Sequence, residues 1–97
     1  MSMVTRENIQ NSKNFNDIEK RILEQMLKWE NYFKSQGRDN EEVFICTNES
    51  GLIEIGAHSL FEAIKHLSEL GILKRRECAA VAYEWNDKAV LERMLMA

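Results

Sequence analysis

The chain has 97 residues, a formal net charge of −3, 44% hydrophobic and 30% charged residues, no proline and only four glycines. This balance is typical of one small, mostly helical globular domain and excludes an intrinsically disordered chain. No apolar run approaches the roughly 18 residues that a membrane span requires, and the polar first residues lack the apolar middle of a secretory signal. We therefore expect a cytoplasmic protein without a membrane partner.

The first long helix is predicted to follow a flexible N-terminal arm over residues 1–14, and residues 15–97 are predicted to form a single domain. Asn16 and Glu19 have the spacing of a capping box, and Gly37 is suited to end the helix. Its apolar residues cover a wide stripe: Ile18, Ile22, Leu23, Met26, Leu27, Trp29 and Phe33. Such a helix either crosses the middle of the fold or contacts a second chain, so a homodimer through the first or last helix stays open.

A short strand is predicted over residues 43–46, and the segment after it has two interpretations. Thr47 is a suitable N-cap for a short helix that carries Leu52, Ile53 and Ile55 inward and ends at Gly56. Alternatively, residues 48–51 form a turn, and residues 52–56 return as a strand that pairs with residues 43–46. The segment is too short for periodicity to decide, and the helix is favoured.

The next helix is predicted from the capping-box spacing of Ser59 and Glu62, and Gly71 is suited to end it. One face is apolar, with Leu60, Ala63, Ile64, Leu67 and Leu70, and the opposite face carries His58, Glu62, Lys65 and Glu69. Strands are predicted over residues 72–76 and 80–85, with a turn near Glu77 and Cys78. Asn86 is a suitable cap for a last helix.

This order of elements, together with residues 44–87, resembles the winged helix-turn-helix DNA-binding family. The residues that carry the resemblance are LSELGIL from Leu67, KRRE from Lys74 and VAYEWN from Val81. The closing Tyr83-x-x-Asn86 and the stretch FICTNE are similar to small phage or plasmid replication proteins and repressors. The resemblance implies an α+β, mostly helical winged helix-turn-helix with a two- to three-stranded antiparallel wing sheet. Residues 58–70 would be the recognition helix and residues 72–85 the wing.

The function implied by the resemblance is that of a sequence-reading DNA-binding protein, a transcriptional or replication regulator. The outward residues of the recognition helix would contact base edges of double-stranded DNA in the major groove: His58, Ser59, Glu62, Lys65 and His66. Lys74, Arg75 and Arg76 in the wing would contact backbone phosphates. Two features depart from the family: the interval between Gly56 and Gly71 is short, and two acids lie on the presented helix.

An acidic protein-interaction module, or a phage- or plasmid-type inhibitor of a host protein, is the alternative. It is motivated by the negative net charge and by a stretch with acids and no Lys or Arg: Asp39, Glu41, Glu42, Glu49 and Glu54. Such a surface suits a basic groove on a partner protein.

Metal, cofactor and catalytic sites are not expected. Cys46, His58, His66 and Cys78 lack the close pairs of a zinc site, and the two histidines would lie about 12 Å apart along one helix at roughly 1.5 Å per residue. Neither cysteine belongs to a C-x-x-C pair, and no glycine-rich phosphate loop is present. We therefore predict a binding protein rather than an enzyme.

Overall fold

The computed structural model describes residues 4–38, 43–76 and 82–96. In chain order these residues form α1 (Arg6–Asn11), α2 (Asp17–Ser35), β1 (Phe44–Cys46), α3 (Ala57–Glu69), β2 (Leu73–Arg75), β3 (Ala82–Trp85) and α4 (Lys88–Met96). The predicted class, α+β and mostly helical with a small antiparallel sheet, is confirmed for this part of the chain.

Helix α2 crosses the middle of the fold, and both of its predicted ends are confirmed. The Asn16 side chain accepts from the Glu19 N–H at 2.8 Å, and the Glu19 carboxylate accepts from the Asn16 N–H at 2.9 Å. At the other end, Gly37 has a φ of 72°, which favours glycine, and its N–H bonds the Lys34 carbonyl. The helix packs against α1, α3 and β1, so its wide apolar stripe is covered largely by the chain itself.

The segment expected to be a flexible arm contains a helix instead. Thr5 caps α1 by accepting from the Asn8 N–H at 3.1 Å, and Ile9 is fully buried where α1 packs on α2. Val4 and Phe15 are buried on either side of it. Six residues are too few for helical periodicity to be detected in the sequence. The contact with α2 stabilises this short helix in the folded chain.

The sheet has the order β1-β3-β2, and both pairings are antiparallel. Tyr83 in the central strand lies opposite Ile45 on one side and Arg75 on the other. Residues 52–56 contain no strand, and β1 pairs with β3, so the alternative hairpin between residues 43–46 and 52–56 is wrong. Of the strand predicted at 72–76, Leu73–Arg75 is present, and the described part of the strand predicted at 80–85 forms β3. The turn predicted near Glu77 and Cys78 lies outside the described residues.

Residues 47–55, here called the turn segment, form successive turns and not the favoured short helix. Gly51 has a φ of 99°, which a right-handed helix cannot include. The carbonyls of Ser50 and Gly51 accept from the side chains of Gln25 and Arg21 in α2 instead of from a following helical turn. Leu52 is fully buried as expected.

The starts of α3 and α4 also differ from the prediction. Helix α3 begins at Ala57 after Gly56, without a side-chain cap, and Ser59 lies inside its first turn. Before α4, Asp87 accepts from the Ala89 N–H at 3.0 Å. Asn86, the predicted cap, donates to the Gly71 carbonyl at 2.9 Å and so ties the start of α4 to the end of α3.

Candidate nucleic-acid interface

Helix α3 has one buried face and one face that is open to solvent. Leu60, Ala63, Ile64 and Leu67 are at most 5% exposed and belong to the core. Six exposed side chains on the other side of the helix are called the α3 outer face: His58, Ser59, Phe61, Glu62, Lys65 and Glu69. The structure therefore brings four of the predicted DNA-contacting residues to one surface of one helix.

Charge is unevenly distributed along the α3 outer face. The first five residues of α3, 57–61, expose His58, Ser59 and Phe61 and contain no carboxylate, and the first turn has no acidic residue. The acids begin at Glu62, one helical turn before Lys65 and His66, and Glu69 follows one turn later. The first backbone N–H groups of α3 have no side-chain cap, and no acid in the first turn offsets the positive end of the helix dipole.

His66 is the predicted site residue that the structure assigns to a different contact. Its Nδ1 bonds Oε2 of Glu19, the same carboxylate that closes the capping box of α2 through Oε1. Glu19 is only 3% exposed, whereas the His66 side chain is half exposed. This contact joins α3 to the start of α2, so His66 is engaged within the fold.

The predicted basic residues of the wing lie at the edge strand β2. Lys74 and Arg75 are exposed, and neighbours along a strand point to opposite faces of the sheet. Lys74 lies opposite Glu84 in the ladder. Arg76 is half-buried, and its guanidinium carbon lies 4.4 Å from the centroid of the Phe44 ring. Lys74 and Arg75 are therefore the more accessible of the three cations.

Two exposed apolar side chains near α3 were not among the predicted site residues. Phe61 is 61% exposed on the α3 outer face, and Ile53 is 65% exposed in the turn segment. A signal for Phe61 was present in the sequence, because its position falls off the stripe of Leu60, Ile64 and Leu67. Ile53, in contrast, was expected to face inward in a short helix that does not form.

The turn segment is fixed to α2 by side-chain hydrogen bonds and thereby sets where α3 begins. The Glu49 carboxylate accepts from Gln25 Nε2 at 2.8 Å and from Trp29 Nε1 at 2.9 Å. Arg21 bonds Glu54 and the Gly51 carbonyl. The hydrogen bond from Arg21 lowers the pKa of the exposed Glu54 carboxyl below its ordinary value of 4.5.

Metal and small-molecule sites have little support in the part of the chain that the structure describes. No three His, Cys, Asp or Glu side chains come together there as metal ligands. Cys46 is half-buried with a free thiol, and Cys78 lies outside the described residues. A cleft of about 470 Å³ beside α2 exposes Arg6, Arg21 and Lys28, but Arg6 pairs with Glu24 at 3.8 Å and Arg21 with Glu54.

Comparisons with known proteins give no independent assignment. No protein-family model, curated protein or solved structure matches the chain significantly. Within the described residues, every helix is too short or too polar to span a bilayer.

Proposed function

We propose that the chain binds double-stranded DNA, with the N-terminal half of α3 in the major groove and the β2–β3 pair against the phosphate backbone. The observation that carries the proposal is the acid-free, uncapped start of a helix whose opposite face is buried. Recognition helices contact base edges mainly through their N-terminal residues, and helix N-termini favour phosphate. In this proposal Glu62 and Lys65 lie at the edge of the groove contact, and Glu69 lies outside it.

The order of elements supports a winged-helix arrangement for this role. A helix with one exposed face is followed directly by an antiparallel strand pair that carries Lys74 and Arg75, which is where a wing is expected. The turn segment takes the place of the short helix that would precede the recognition helix. It is nevertheless anchored to α2 through Glu49 and Arg21, which gives α3 a fixed starting point.

The predicted residues have different roles in this complex. His58, Ser59 and Lys65 contact base edges, and Lys74 and Arg75 contact phosphates. Glu62 directly follows the acid-free residues 57–61, and in this proposal it accepts from a cytosine amino group. His66 has a structural role through Glu19, and Arg76 supports the sheet beside Phe44. In this regulatory role the chain binds and does not catalyse.

Salt dependence of DNA binding tests the proposal. The affinity of the chain for a mixed pool of duplexes should fall as salt rises, because phosphate contacts release counterions. The double variant Lys74→Ala/Arg75→Ala should lower the slope of log affinity against log salt by about 1 to 2, at roughly 0.9 per lost phosphate contact.

A matched control removes the same charge elsewhere. Lys13 and Lys34 are exposed outside α3 and the sheet, so Lys13→Ala/Lys34→Ala should leave the slope unchanged. Equal slopes for the wild type and the Lys74/Arg75 variant would refute the assignment of β2 to the phosphate backbone. Binding that is insensitive to salt would refute DNA binding itself.

A protein-interaction module is the second candidate, and the exposure of Ile53 and Phe61 beside Glu54 and Glu62 favours it. Exposed apolar residues with acidic sequence neighbours suit a partner with a basic, apolar groove. Stoichiometric capture of one host protein, without any retention of DNA, would favour this candidate.

A homodimer through α2 or α4 stays a prediction in either case. Met96 at the end of α4 is 67% exposed, and sedimentation of the purified chain would measure the association.

A further inference from the structure

Phe61 is an aromatic side chain that lies outside the hydrophobic core. It is 61% exposed on the α3 outer face and points away from the stripe of Leu60 and Ile64, which are at most 5% exposed. An exposed phenylalanine leaves most of its apolar area in water and adds little to the stability of the domain. A single exposed apolar residue needs no explanation in general, but this one lies inside the proposed DNA-contacting half of the helix.

The neighbours of Phe61 on the α3 outer face are polar. His58 precedes it by three residues and Lys65 follows it by four, so both lie on the same side of the helix. At 1.5 Å per residue these side chains start about 4.5 Å and 6 Å from Phe61 along the axis. The exposed face therefore offers one apolar contact between two hydrogen-bonding contacts.

The major groove presents a single apolar group among its base edges. Thymine carries a 5-methyl group there, whereas the other edge features are hydrogen-bond donors and acceptors. A phenylalanine ring cannot form hydrogen bonds with those donors and acceptors, and it gains free energy by covering a methyl group.

We propose that Phe61 is a specificity-determining residue that contacts the 5-methyl group of thymine in the major groove. The inference rests on the proposed DNA binding and names the base feature that α3 recognises. His58 and Lys65 flank the thymine contact, and Lys65 is suited to the O6 and N7 acceptors of a neighbouring guanine.

Replacing thymine by deoxyuridine tests the proposal, because the exchange removes only the methyl group. Preferred duplexes are first selected from a random pool with the wild-type chain, and each thymine in turn is then replaced. At one or two positions we expect the affinity to fall about 4-fold, the value that corresponds to one lost methyl contact. In Phe61→Ala the thymine and deoxyuridine duplexes should bind equally at those positions.

Two further variants separate the proposed contact from a general loss of apolar surface. Phe61→Leu should keep a preference for thymine, because leucine also covers a methyl group. Tyr32→Ala removes an aromatic ring that is 50% exposed on α2 and should leave the preference intact. Phe61→Ala should retain the wild-type midpoint of unfolding, since the side chain is exposed, and the wild-type salt slope, since it carries no charge.

The outcomes distinguish this inference from the proposed function. Salt-dependent DNA binding without any loss on exchanging thymine for deoxyuridine overturns the role of Phe61 and leaves DNA binding in place. Retention of the thymine preference in Phe61→Ala overturns it equally. If the wild-type chain binds no duplex in a salt-dependent manner, the proposed function fails and the inference fails with it.

Discussion

His66 is predicted to stabilise the fold and not to contact DNA, and the variant His66→Ala tests this directly. The substitution removes the imidazole that bonds Oε2 of Glu19, while Oε1 stays bonded to the Asn16 N–H. Because Glu19 is only 3% exposed, one oxygen of a buried carboxylate loses its partner. Leaving such a group unsatisfied costs about 1–3 kcal/mol.

The lower end of that range applies here. The His66 side chain is 50% exposed, so water can reach part of the space that the imidazole vacates. We expect a loss of about 1 kcal/mol in the free energy of unfolding, which lowers Tm by about 4–8 °C in a domain of this size. Urea unfolding followed by far-ultraviolet circular dichroism near neutral pH measures it.

A double-mutant cycle isolates the contact from other effects of the substitution. Glu19→Gln keeps a side-chain acceptor for the Asn16 N–H but removes the carboxylate that faces His66. The loss from His66→Ala should therefore be smaller in the Glu19→Gln background than in the wild type. Equal losses of unfolding free energy in the two backgrounds, or no loss at all, would refute the structural role of His66. A lower salt slope of DNA binding in His66→Ala would indicate instead that His66 contacts DNA.

Two further predictions concern the turn segment and the core. Arg21→Met should raise the pKa of Glu54 towards 4.5, because the Arg21 hydrogen bond is the main cause of its lowering, and an NMR titration of the Glu54 carboxyl measures the change. In the wild type, the lowered folded-state pKa of Glu54 stabilises the fold at pH values above the unfolded-state pKa. This stabilisation is lost as the pH falls through the folded-state pKa. In the variant, the free energy of unfolding should therefore depend less on pH in the acid range. An unchanged Glu54 titration would contradict this account. Leu67→Ala should lower the free energy of unfolding by about 2–5 kcal/mol because Leu67 is fully buried. Ile53→Ala, at a residue 65% exposed, should change it by less than about 0.5 kcal/mol, and similar losses for both variants would contradict the core assignment.

Elements with local signals were predictable from the sequence. The capping box of Asn16 and Glu19 and the glycine at position 37 fix the ends of α2 through contacts within a few residues. The apolar spacing of α3 likewise fixes which of its faces is buried, and so which predicted site residues are exposed. The predicted cap of α3, Ser59, lies three residues after the observed cap position, Gly56, which has no side chain to signal the start of a helix.

Elements that depend on distant partners were not predictable. The turn segment bonds Gln25 and Arg21, which lie more than 20 residues away in the chain, and these contacts replace the short helix. His66, a predicted DNA-contacting residue, instead bonds Glu19, which lies 47 residues away in the chain. Helix α1 likewise packs on α2, with Ile9 fully buried. Its six residues alone do not predict this contact.

The sequence by itself determined the class of the fold, the ends of α2, the buried stripe of α3 and the positions of the three strands. Capping, glycine conformation and apolar periodicity act over one or two turns, so a single stretch of chain contains the whole signal. Tertiary structure decided the pairing of β1 with β3, the shape of the turn segment and the different environments of His66 and Phe61. These depend on which remote side chains supply hydrogen bonds and apolar cover, and only the folded chain brings those partners together.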